Sequence, residues 1–231
     1  MKIKPNIYDL LFYIAFAVCL IISITLDRKA LLYASPLVVV TILLKYINAT
    51  KKNADPLFIL ALIAIIGVNF FSFYGFNNYF KILTLLTSSY LIFYCLILKK
   101  YIIKAKYSIS ISVSIGALLV VYTIYSVVAL LIDYMPKSNL FYMILCACCL
   151  LIYAAVVAKI YLKNNYQHGT VLLGSGISSI FHIGLSPINE YFYYNKTFTV
   201  IIIISHFISI YLFMIFITKT KPKKPQDYYN Q

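Results

Sequence analysis

The chain is a succession of apolar runs of near membrane-crossing length, and this pattern limits its backbone more than any other feature does. The runs cover residues 8–26, 30–47, 56–74, 80–98, 109–132, 140–161, 170–187 and 198–217. At about 1.5 Å of rise per residue each crosses, or nearly crosses, about 30 Å of hydrocarbon. In that medium no water can satisfy a peptide group, so a span must be a helix or part of a closed barrel. The alternating stretch SISISVSIG has the period of a strand. A lone strand would leave its backbone unpaired in lipid, so a helix is expected there too. The expected fold class is all-α: a polytopic transmembrane helix bundle of about eight spans, with both termini cytoplasmic.

The loop charges carry the orientation. With eight spans, fifteen of the twenty Lys and Arg residues fall on the side that holds both termini, and five fall on the other. Cytoplasmic loops carry such an excess of basic residues. The net charge of +14 therefore reads as membrane topology, and nucleic acid is not an expected partner. Charged residues make up 11% of the chain, against about 25% in soluble domains. Trp is absent, and tyrosines cluster near the run ends, where they can form the aromatic belts. The first run follows a basic start but exceeds a usual signal-peptide core, and is read as an uncleaved helix. Residues 1–218 are expected to form one transmembrane domain, and 219–231 a basic cytoplasmic tail.

The cysteines Cys19, Cys95, Cys146, Cys148 and Cys149 all lie inside apolar runs. On a helix the CACC stretch spreads its thiols over different faces, and no second ligand pair accompanies it. These residues are expected to pack as small side chains. No metal site and no cofactor is expected.

Intramembrane polar residues are the functional candidates. Counting rise from the loops puts Asn69 about 20 Å from the cytoplasmic face, His182 about 18 Å, His206 about 18 Å and Tyr122 about 20 Å. Ser35, beside Pro36, falls in the same outer half, as do Thr87 and Ser88. A shared level of this kind lines a cavity more readily than scattered depths do. Gly174, Ser178 and His182 are spaced by four and predict a small-residue face turned into the bundle, as Ser108, Ser112 and Gly116 do on the fifth run. Pro187 is expected to break the seventh helix and leave INEYFYY, with Glu190, as an outer loop.

Over residues 30–217 the chain resembles the lysoplasmalogenase (YhhN-like) membrane family. YASPLVVVTILLKYI is similar to a segment carrying Lys-Pro-Leu, with Pro36 and Leu37 matching. LIAIIGVNFFSFYGF is similar to a segment with Gly-Asp, with Gly67 matching, and GSGISSIFHIGLSPINEYF resembles one with Ser-Asp followed by Asn-Lys-Phe, with Asn189 matching. Where the family has its charged residues this chain has Ser35, Val68 beside Asn69, and His182 with Ile183. The resemblance implies cleavage of a vinyl-ether lipid: a carboxylic acid protonates the enol-ether carbon, water attacks the oxocarbenium, and an aldehyde leaves.

No acidic residue lies in the middle of an apolar run here, which leaves three readings. The first is a non-catalytic member that binds a lipid or amphiphile in an outer-half pocket built from Asn69, His206, Ser178, Ser35, Tyr122 and Glu190. The second is an active ether hydrolase in which His182 is the catalytic acid/base. The third is a small transporter. The expected partners are membrane lipid and a lipid-derived small molecule.

Overall fold

The computed structural model describes residues 7–26, 28–102, 111–163 and 166–222. Its helices are α1 (Ile7–Thr25), α2 (Leu31–Thr50), α3 (Pro56–Gly75), α4 (Phe80–Lys99), α5 (Ile111–Ile132), α6 (Lys137–Leu162), α7 (Gly169–Pro187) and α8 (Lys196–Lys219). Among the described residues there is no strand. Among the described residues seven helices are long and apolar enough to cross a membrane, and the apolar part of α5 is the shorter Leu118–Ile132. The chain is thus a multi-pass helical bundle of membrane type. Of the expected basic tail, residues 223–231 lie outside the described residues, as does Ser108.

Local chemistry sets the helix ends. Asp55 accepts a hydrogen bond from the Leu57 amide at 3.1 Å and Pro56 opens α3, so one orphan donor is satisfied and the first φ is preset. Asn195 caps α8 through the Thr197 amide at 2.8 Å. Pro187 does not break α7. The chain continues as a π-helical turn over Ile188–Phe192, closed by the Tyr193 amide on the Ile188 carbonyl at 3.1 Å. Proline removes one helical hydrogen bond and crowds the preceding turn, and a wider turn directly after it carries the helix onward. Asn189 is thereby turned inward and is 2% exposed.

Lipid tails are as apolar as leucine, so helix association rests on close packing and on hydrogen bonds. Helix α8 lies against α1, α2 and α7. Its Phe213 stacks on Tyr94 of α4 at 3.7 Å between ring centres, and packs on Phe58 of α3 and Tyr153 of α6. All four rings are almost fully buried. Helices α7 and α8 approach closely because Gly174 faces Leu212, where an added Cβ would stand 3.1 Å from its Cδ1. Gly176 does the same toward Val157 of α6.

At one end of the bundle Lys45 pairs with Asp9 and bonds the Tyr211 hydroxyl, and Lys100 pairs with Asp55 at 2.6 Å. There the Tyr101 hydroxyl donates to the Thr220 carbonyl at 3.1 Å. Burial, with Tyr166 and Asp55 nearby, pushes the Tyr101 phenol up to about 12, so this donor keeps its proton. At the opposite end Arg28 pairs with Glu190. Helix α5 packs on α6 and more sparsely on α7, and many of its side chains face outward. Gly116 has open space where a Cβ would stand, so it marks no close helix contact.

Candidate functional site

A polar seam runs between α7 and α8. From α7 come Ser175, Ser179, His182, Ser186 and Asn189, at spacings of four, three, four and three. From α8 come Ser209, His206 and Thr199. The Tyr153 hydroxyl lies 3.2 Å from Ser175, and Ser175 donates to the Ser209 carbonyl at 2.8 Å. Ser179 donates to the Ser175 carbonyl at 3.0 Å and lies 2.6 Å from the Ser209 hydroxyl. Each serine has one proton, so Tyr153 must donate to Ser175 and Ser209 to Ser179. The hydroxyl part of the seam is therefore internally satisfied.

The imidazoles above it are not. His182 and His206 lie with ring centres 4.6 Å apart and planes at 63°. Nε2 of His182 is 3.3 Å from the Tyr90 hydroxyl. Its Nδ1 has no partner of good geometry and faces the Ser178 carbonyl one turn back. Neither nitrogen of His206 has a partner, although the residue is 6% exposed. A neutral imidazole brings one donor and one acceptor, and leaving each unmade in a buried site costs about 1–3 kcal/mol.

His182 stands on the wall of an apolar cavity between α3, α4, α5, α6 and α7, of about 850 Å³ including its open mouth. Phe80, Leu83, Met143, Leu150 and Ile183 line it, with Thr84, Thr87, Thr123 and Ser186 as scattered polar groups. Among the described residues no Asp or Glu lines it. A second space, of about 290 Å³ including its open mouth, shares the lining residues Ser72, Phe76 and Ser186 with it and holds the Arg28–Glu190 pair. There Asn189 donates to Thr199 at 3.0 Å and accepts from the Asn195 amide at 2.8 Å, pinning the turn between α7 and α8. Among the described residues no three His, Cys, Asp or Glu side chains gather closely enough to hold a metal ion.

The structure brings His182 and His206 together. Asn69 is 3% exposed with its Nδ2 unpartnered, next in sequence to the cavity-lining Val68, and Ser35 is 1% exposed; neither lines either of these two spaces. Glu190 belongs to the smaller space, beside Arg28. Two residues stand apart. Tyr122 is 68% exposed and points away from the cluster, because the cavity wall of α5 is Thr123, Ile124, Val127, Val128 and Leu131. Ser178 is only partly buried, and the inward face carries Ser175 and Ser179 instead. A strict spacing of four drifts by about 40° per step around a helix, whereas alternating four and three stays on one side.

Sequence reading missed Tyr90, Ser179 and Arg28 as site residues. The four-three alternation was a visible sign of the serines. A sign for Arg28 was present too: the chain contains one Arg and one Glu, and they are the two that pair. Comparison with known proteins finds no matching family model, no matching curated protein and no matching solved structure.

Proposed function

We propose that this chain is a multi-pass protein of the cell membrane, with both termini cytoplasmic, that holds a lipid-derived amphiphile between α4, α5, α6 and α7 without transforming it. The reading also makes it a divergent relative of the lysoplasmalogenase-like proteins that has lost their charged residues. The observation that carries it is the cavity itself, which is mostly apolar, walled on one side by a sparsely packed helix and provided with a few polar groups. Small-molecule sites have this kind of lining. The seam closes at Tyr153 against the packed rings of Tyr94 and Phe213, which favours a blind pocket over a transport path.

Lipid extracted from protein purified in a mild detergent tests this. Wild type is expected to retain about one single-chain amphiphile per chain. Ala147→Phe, which fills the cavity wall, is expected to lose most of it. Equal retention by both proteins, or by neither, would overturn the reading.

The second reading, a vinyl-ether hydrolase, draws on His182, which reaches the cavity while bonded to Tyr90. Against it stands the absence of any carboxylate on the cavity wall among the described residues. Incubation with lysoplasmalogen is expected to release no aldehyde. Release that disappears in His182→Ala would establish the hydrolase instead.

A further inference from the structure

We infer that the space around Arg28 and Glu190 is a head-group subsite, selective for an uncharged, hydroxylated head on a single acyl chain, of the monoacylglycerol type. The inference rests on the amphiphile-binding reading and deepens it. The two spaces share the lining residues Ser72, Phe76 and Ser186, so one extended molecule can lay its chain in the larger and its head in the smaller. In a chain that otherwise uses Lys and Asp for charge, the single Arg and the single Glu meet here across 162 positions. The guanidinium is partly committed: it pairs with Glu190, donates to the Ser72 carbonyl at 2.8 Å and lies over the Phe73 ring at 5.7 Å.

Charge bookkeeping selects the head. A guanidinium has five N–H donors and a carboxylate about four acceptor positions, so the pair keeps spare donors and spare acceptors side by side. Its net charge is zero. An anionic head can reach the spare donors of Arg28 only beside the Glu190 carboxylate, whose side chain is 11% exposed, and is repelled by it. A cationic head reaches the spare acceptors of Glu190 only beside the Arg28 guanidinium, and is repelled in the same way. A hydroxyl gives one proton and accepts others, and can join the pair without breaking it.

The test uses the protein in lipid nanodiscs and a monoacylglycerol with a photoreactive group in its chain. Crosslinks are expected on cavity-lining peptides of α4, α5, α6 or α7. Unlabelled monoacylglycerol is expected to compete at least about tenfold better than the fatty acid or the alkylamine of equal chain length, since like-charge contacts cost several kcal/mol. Glu190→Gln should remove the discrimination against the fatty acid, and Arg28→Gln that against the amine. Competition by all three heads alike in wild type overturns the subsite while the pocket stands. Unchanged ratios in a folded variant do so too. No crosslink to the cavity at all overturns the pocket reading and this inference with it. If neither variant folds, the wild-type ratio alone decides.

Discussion

Replacing Phe213 by Ala is expected to destabilise the bundle by about 3 kcal/mol, read as a fall in Tm of the detergent-solubilised protein. The ring is fully buried and stacked on Tyr94, with Phe58 and Tyr153 at its flanks. In a membrane its removal forfeits little transfer free energy, because lipid is as apolar as the core. What is lost is dispersion contact on every side of the void. That argument places the effect at the low end of the range for Phe→Ala in soluble cores. Phe181→Ala is the control: its side chain is 55% exposed on the outside of α7, so lipid fills the space, and a change within about 0.5 kcal/mol is expected. Equal losses at the two positions would mean that the aromatic cluster does not organise the bundle.

Arg28→Ala is expected to cost a similar amount, about 3 kcal/mol, for a different reason. It leaves Glu190 charged, largely enclosed and without its partner. Replacing both residues together, as Arg28→Leu with Glu190→Leu, is expected to cost far less, because no stranded charge remains. A double-mutant cycle on thermal unfolding gives the coupling. Additive single effects would show that the two side chains do not act as a pair. If the coupling is present and the double variant is as stable as wild type, the pair is retained for something other than stability, which is what a head-group subsite requires.

Much of the architecture was legible from hydropathy. The run 56–74 became Pro56–Gly75, 80–98 became Phe80–Lys99 and 198–217 became Lys196–Lys219. Agreement this close has a physical cause, since a backbone in hydrocarbon has no stable alternative to satisfying itself within the helix. The strand-like SISISVSIG illustrates it: the part within the described residues, from Ile111, is helix. The presence of buried imidazoles was legible as well, because His182 and His206 fall at one depth by rise alone, and their rings meet at 4.6 Å.

Faces were harder to read than depths. Rise depends only on residue number, whereas the direction of a side chain depends on helix rotation, and that is set by neighbours. Spacing by four nominated Ser178, while the packed face follows four-three alternation through Ser175 and Ser179. Tyr122 has a suitable depth, yet α5 is rotated so that Thr123 and Ile124 line the cavity and Tyr122 faces out. Pro187 was a sound reason to expect a break, but a π-helical turn absorbed it and delivered Asn189 and Glu190 to the inner side.

The sequence by itself determined that this chain is a bundle of long apolar helices of membrane type, where those helices begin and end, and at which level along them its polar groups lie. These follow from the cost of an unpaired peptide in hydrocarbon and from a fixed rise per residue. Only the tertiary structure decided which polar groups meet, that α5 leaves a cavity beside His182, and that Arg28 finds Glu190. Those outcomes depend on how each helix is rotated and packed against the others, and lipid, being as apolar as the helix faces, does little to dictate either.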